Sequence, residues 1–474
     1  MMEVTVRRRL LLLLLSIPLL LLLVVAAFYL HDLIVGANAP YRRQAAPHPE
    51  YPELGSEWVM HPIDNPGDWL PNGLDAADVN GDGQLDYVTN YEFRGRVRVA
   101  LHPGDALGDG FWPAVDVGGF PNAESSAMGD LDGDGWYDVV VAHGVEHTTA
   151  LPGIRVLWGQ SGPSWADGGD LPASQGGWQF LYVKTVDLDG DGDTDVLAGG
   201  RANRVASDAN RESQDEALVW AGLRWFRNPR SEGGDARDLA AYALCTVDPE
   251  IKSGHGFVWG DVDGDGDLDL AVNNADWDTP DAEEQTVWYE NPGPARACEP
   301  WSLHLLHCGR EFYGKEQVAI VDIDGDGDAD ILNHTERHVY AFRNQGGEPP
   351  AFEMHAIEKH PAAQWRARPL AVADLNGDGQ LDLIGALIHR DGRLPKDKAA
   401  VFWMEQGADG WTTHAIKWGD GFWGLGTFNG EKWDQLWPVD VDGDGDLDVV
   451  ANVEEYNRLR TILAVVWFEN PLME

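Results

Sequence analysis

The sequence predicts an all-β fold, a seven-bladed β-propeller, and three observations carry that reading. One nine-residue segment rich in Asp and Gly occurs seven times between Asp78 and Asp448. Its copies start 52 to 74 residues apart, the period of a blade of about four strands. Apolar, β-prone runs flank the copies, as in Ala-Ile-Val before Asp322 and Leu-Asp-Val-Val after Asp446.

The loops come first. Their odd positions hold Asp78, Asn80, Asp82, Gln84 and Asp86; Asp130, Asp132, Asp134, Trp136 and Asp138; Asp187, Asp189, Asp191, Asp193 and Asp195; and Asp261, Asp263, Asp265, Asp267 and Asp269. The last three copies hold Asp322, Asp324, Asp326, Asp328 and Asp330; Asp374, Asn376, Asp378, Gln380 and Asp382; and Asp440, Asp442, Asp444, Asp446 and Asp448. Gly fills positions 4 and 6. Alternate oxygens on a tight turn converge on one hard cation, and Ca²⁺ takes about 6–8 oxygens. Calcium is therefore the expected cofactor, up to seven ions. An EF-hand would carry a Glu at position 12 between two helices; here the last carboxylate comes at position 9, between strands. A merely solvated acidic hairpin is the alternative, and mutual repulsion of the carboxylates counts against it. The copies with Asn80 and Asn376 carry less charge and are expected to bind more weakly.

The other strands follow each loop. Third strands are expected at 97–101, 154–158, 223–226, 286–289, 338–342, 400–404 and 462–468, several ending in a Trp-X-X-Asn-Pro turn. Fourth strands with an aromatic residue and then His are expected at 301–305, 352–357 and 411–416. The seventh unit has no fourth strand after it. Residues 57–63 (Glu-Trp-Val-Met-His-Pro-Ile) are expected to supply one, closing the ring and removing an exposed edge. Residues 57–474 then form one propeller and 36–56 a Pro- and Ala-rich linker.

Residues 1–35 read as a signal anchor or a signal peptide. The stretch 10–30 is uncharged and mostly apolar behind Arg7, Arg8 and Arg9, long enough to span a bilayer with the propeller outside. Val25-Ala26-Ala27 or Ala37-Asn38-Ala39 would serve as the cleavage site of a secretory signal. Either route makes the protein extracytoplasmic, where calcium is plentiful. The net charge is −45, and 30 of the 79 acidic side chains sit in the loops. Seven Ca²⁺ ions would leave −31, still opposite in sign to a nucleic-acid-binding surface. Cys298 and Cys308, flanking a fourth strand, are the pair that could form in an oxidising compartment, with Cys245 left over; three separate thiols are the alternative.

These loops and strands resemble the FG-GAP or VCBS-type repeats of integrin α-subunit propellers and secreted bacterial proteins. For the fifth copy the resemblance implies calcium ligation by Asp322, Asp324, Asp326, the carbonyl of Asp328, and Asp330. The family hosts adhesion proteins, lectins and a few sugar-modifying enzymes, so it leaves function open.

In such a blade the cation loops share one end, and the long connections fall at the other, at 201–217, 275–285, 389–398, 248–254, 309–314, 358–366 and 419–433. Binding residues collect on such variable connections. The candidates, at the mouth of the central channel, are His255, Lys315, Glu316, Arg366, Arg368, Glu431, Lys432 and Asp434, accompanied by Trp365, Phe422, Trp423 and Trp433; an ordinary channel salt bridge is the alternative for Arg366 and Arg368. Flat aromatic rings beside polar groups suit sugars, and Arg suits a carboxylate or sulfate. His61, His304, His355 and His414 recur at one strand position and read as structural.

The leading expectation is a calcium-stabilised scaffold that binds a glycan or an extracellular protein. The alternative is a sugar lyase or dehydratase, because Trp-Tyr-Glu-Asn-Pro and His255-Gly256 are similar to the propeller part of fungal aldos-2-ulose dehydratases. His255 or Lys315 would then be the base, and Arg366 or Arg368 would hold the anion.

Overall fold

The computed structural model describes residues 17–27, 48–55, 57–68, 70–144, 151–175, 178–202, 220–251, 256–274, 285–309, 318–389, 394–395, 397–419, 431–455 and 463–472. The chain divides into two compact units, Met1–Arg43 and Gln44–Glu474. In the first, residues 17–27 are helical with exposed apolar side chains. No described helix is long and apolar enough to cross a membrane.

The second unit is all-β and its sheets are antiparallel. After β1 (Val59–Asp64) come β2 (Pro71–Ala77), β3 (Asp86–Tyr91), β4 (Arg96–Ala100) and β5 (Ala114–Gly119), which form one four-stranded meander. The next is β6 (Ser125–Gly129), β7 (Asp138–His143), β8 (Gly153–Gln160) and β9 (Ser164–Asp170). It is followed by β10 (Gln179–Val186), β11 (Asp195–Ala202), β12 (Trp220–Arg227) and β13 (Ala243–Asp248). Then come β14 (Phe257–Gly260), β15 (Asp269–Asn274), β16 (Gln285–Glu290) and β17 (Ser302–Cys308), and β18 (Val318–Val321), β19 (Asp330–His334), β20 (His338–Asn344) and β21 (Phe352–Glu358). The remaining strands are β22 (Ala367–Ala373), β23 (Asp382–His389), β24 (Ala399–Gly407), β25 (Gly410–Trp418), β26 (Glu431–Val439), β27 (Asp448–Glu455) and β28 (Val465–Glu469). They make one eight-stranded sheet, in which β22–β25 and the set β26–β27–β28–β1 join where Ile388 and His389 pair with Lys432 and Glu431. The repeated four-stranded sheets are consistent with a β-propeller.

Each loop joins the first strand of a meander to the second. Gly325 and Gly327, with φ of 76° and 98°, show why positions 4 and 6 need Gly: an L side chain is strained there. Second strands such as β7 and β19 are buried at every position, which suits their continuous apolar runs. The core lies between meanders. Val140 and Val156 pack with Phe180 and Phe226 in one cluster. Leu74 and Tyr87, early in the chain, share another with Val450 and Trp467 near its end.

The strand read at 57–63 is β1, and it pairs antiparallel with β28, placing His61 opposite Trp467. His61 stacks on Trp467 at 4.4 Å, and its Nε2 lies 2.5 Å from Glu469. The same Trp–His–Glu unit recurs with Trp288, His304 and Glu290, and with Trp403, His414 and Glu405. His355 faces Ala341 instead and lies 3.6 Å from Glu353.

The cysteine expectation needs correction: Cys245 pairs with Cys298, and Cys308 lies outside the disulfide. Cys298 precedes the seven-residue strand β17, whereas Cys308 ends it. A strand of that length spans roughly 20 Å, far beyond disulfide reach. Cys245, on the outer strand of the preceding meander, has its Cα 4.7 Å from that of Cys298.

Candidate functional site

The loops are built from within by their own carboxylates. In every copy the position-1 Asp accepts the N–H of the position-6 Gly, as Asp322 does from Gly327 at 2.9 Å. The position-9 Asp accepts two backbone N–H groups. One comes from loop position 2, as from Ile323 to Asp330 at 3.1 Å. The other comes from the residue near the end of the third strand, as from Asn344 to Asp330 at 2.7 Å. Position 9 is thus a buried anchor of the turn as well as a candidate ligand. Burial pushes Asp86, Asp330 and Asp382 up to about 6, Asp138 and Asp269 to about 7, and Asp195 and Asp448 to about 8.

Five carboxylate sets bring one oxygen from each residue within 4.8 Å of the others: Asp130/Asp132/Asp138, Asp187/Asp189/Asp195, Asp261/Asp263/Asp265, Asp322/Asp324/Asp330 and Asp440/Asp442/Asp448. The copies holding Asn80 and Asn376 offer two acids and an amide at the matching positions. Asn80 turns its amide to Asp82 at 2.9 Å, and Asn376 to Glu405 at 3.2 Å. The donor set is all oxygen, which fits a hard cation. Oδ1 of Asp187 and of Asp189 are buried and meet no hydrogen-bond donor among the described residues. A cation at the loop centre would satisfy both.

Three arginines stand behind two of these loops, and the sequence reading did not anticipate them. Arg227 donates to Oδ2 of Asp189 at 2.6 Å and to Oδ2 of Asp191 at 3.2 Å. Arg230 donates to Asp193 at 2.6 Å. Arg237 donates to Oδ2 of Asp132 at 2.5 Å and to Oδ2 of Asp134 at 3.1 Å. On Asp189 the arginine takes Oδ2 and leaves the buried Oδ1 to other partners, the arrangement of an outer partner that orients a ligand. Only the clustering of Arg227, Arg230 and Arg237 in eleven residues could have hinted at it.

At the other end of the strands the candidates separate. His255, Lys315, Glu316, Phe422 and Trp423 lie outside the described residues, as do most of the long connections. Arg368, Lys432 and Asp434 do come together, but buried and paired. Arg368 and Lys432 reach Asp434 at 2.9 and 3.1 Å, and Lys432 also reaches Glu454 at 2.5 Å. Burial pushes Asp434 up to about 6 against the pull of Lys432 and Arg368. Glu431 accepts from Lys417 at 3.0 Å and from the Trp433 indole at 3.2 Å. Arg366 is exposed. Trp365 stacks on His389 with ring centres 6.0 Å apart, and the Lys398 ammonium lies 5.9 Å from the Trp365 ring.

Between the two ends lies a cavity of about 580 Å³, lined by β2, β6, β10, β14, β18, β22 and β26. Its lining residues, among them Asp75, Lys184, Trp259 and Trp437, all fall within the five positions before a loop. The loops therefore gather around one end of this cavity.

The chain carries FG-GAP-like repeats: matches to that repeat run over residues 78–141, 130–198 and 322–385. These spans contain five of the seven loops. No curated protein matches the chain. Among solved structures it is similar to a lectin of Agrocybe aegerita described as recognising non-reducing terminal N-acetylglucosamine. That likeness is at 17% identity and a TM-score of 0.49, over 85% of this chain and 100% of the lectin. It is also similar to BBS1N solved in complex with ARL6DN, at 11% identity and a TM-score of 0.45, over 88% of this chain and 98% of that one.

Proposed function

We propose that residues 57–474 form a seven-bladed β-propeller that binds Ca²⁺ in its loops and serves outside the cytoplasm as a recognition scaffold for a glycan or a protein. One observation carries the reading: the first strands of all the meanders line a single cavity, with every acidic loop at the same end of it. Counting the eight-stranded sheet as two blades gives seven, and β1 closes the last. The loops need cations because each concentrates up to five carboxylates in nine residues. Metal then fixes one end of the scaffold, which leaves the long connections at the other end free to vary for recognition. Export follows from the apolar stretch 10–30 behind three arginines.

A glycan array and a surface-protein panel, probed with the full chain in calcium and again in EDTA, test this. Calcium-dependent capture of a defined glycan or protein is expected. Absence of any capture in calcium, with the chain folded, contradicts the recognition role.

A further inference from the structure

The cavity is asymmetric in a way that points to a ligand of its own. Its walls from β14, β18 and β22 are apolar throughout, with Trp259, Ile320 and Val372 among them. Its polar groups come from β2, β10 and β26: Asp75, Tyr182, Lys184, Thr185 and Gln435. Lys184 is buried and sits 5.6 Å from the Tyr182 ring and 5.4 Å from that of Trp437. Two of its three ammonium protons are taken, by Leu74 O at 3.2 Å and Asp75 Oδ1 at 3.1 Å. The other Asp75 oxygen accepts from Met128 N–H at 2.9 Å. Gln435 spends its amide oxygen on Leu74 N–H at 3.2 Å, and its NH₂ group meets no acceptor among the described residues. Two donors, one ammonium proton and one amide, are thus left on the polar side, facing an apolar wall.

We propose that this cavity binds an uncharged ring compound bearing a carbonyl, with the ring against Trp259 and Ile320 and the carbonyl oxygen accepting from Gln435 and Lys184. The volume lies within the roughly 300–1,000 Å³ of small-molecule sites, which combine apolar walls with a few convergent polar groups. A carbonyl supplies the acceptor that both donors lack. The ligand is uncharged because Lys184 is already neutralised by Asp75, and a chain of net charge −45 repels anions. This site is separate from the recognition surface proposed above and stands whether or not that surface binds a glycan.

Calorimetry on the full chain in calcium tests it with three probes of one skeleton: coumarin, 2H-chromene without the carbonyl, and coumarin-3-carboxylate with a charge. Coumarin is expected to bind one per chain, about tenfold or more tighter than either analogue. Ile320→Trp, which fills the apolar side, is expected to abolish binding while the melting temperature holds. Should that variant fail to fold, Val372→Phe on the neighbouring wall gives the same readout. Gln435→Glu keeps the acceptor for Leu74 but loses the donor, and is expected to weaken coumarin by about tenfold. Equal binding of all three probes, no binding of coumarin, or binding untouched by these substitutions overturns the proposal.

Discussion

The side-chain amide of Asn344 donates to the carbonyl oxygen of Val262, 2.9 Å away in the loop of the preceding meander. Asn228 does the same to Leu131, Asn291 to Leu188 and Asn470 to Leu375. His102 reaches Val441 at 3.0 Å and so links the first meander to the last. Each of these residues also donates its backbone N–H to the position-9 Asp of its own loop. Neighbouring sheets are therefore clasped through the bases of their loops. Asn344→Ala is expected to cost about 1–2 kcal/mol, because it leaves a buried carbonyl without its donor. Urea denaturation measures it.

Arg237 adds positive charge to a loop that otherwise carries four carboxylates. Arg237→Ala is expected to lower the melting temperature in EDTA and to enlarge the increment that calcium restores, since the ion then neutralises more unpaired charge. Paired melts with and without calcium read both. An unchanged increment would show that the arginine does not act on the cation site.

Lys359 is buried and donates to Nε2 of His334 at 3.0 Å, while Nδ1 of His334 lies 3.2 Å from Pro369 O. Burial holds Lys359 well below the usual lysine range, and burial together with Lys359 holds His334 well below the usual imidazole range. Between its depressed value and about 10.5 the unfolded chain binds more protons at Lys359 than the folded one, so its contribution to stability rises with pH there. Below the depressed value its full penalty is present. Lys359→Met is expected to stabilise the fold by about 1–3 kcal/mol at neutral pH and to flatten the alkaline rise. Melting temperature against pH for both chains tests this.

β1 buries Met60 and Ile63 and pairs with β28. Deleting 57–63 is expected to leave β28 with an open edge and to make the protein protease-sensitive and aggregation-prone. The expected linker 36–56 is a spacer only in part, because Leu54 is buried and Tyr51 stacks on Trp418; deleting 36–47 alone is expected to change neither property. Limited proteolysis of the two deletions separates them, and equal sensitivity would refute a closing role for β1.

Much of this fold was legible because its signals are local. The loop and most of its two flanking strands lie within about twenty residues, and an aromatic residue three positions before a His marks several outer strands. Long-range features were not legible. Arg237 meets Asp132 across 105 residues, and no periodicity announces it. The Cys298–Cys308 reading failed because closeness in sequence along a strand means distance in space. The channel candidates show a third limit. Arg368 and Asp434 each stand six residues before a loop, and their mixed charge read as a binding mouth of the channel, with a channel salt bridge as the alternative for Arg368. Sequence conveys charge but not depth, and both lie buried against each other.

The central claim is that cations in the loops hold the scaffold together, and thermal melting with metal analysis tests it most directly. Purified protein is expected to carry several Ca²⁺ per chain. Stripping with EDTA should lower the melting temperature, and calcium should restore it in a concentration-dependent way, because a ligand bound only by the folded state stabilises it by mass action. Protein that contains no calcium and melts at the same temperature in EDTA and in excess calcium would contradict the account.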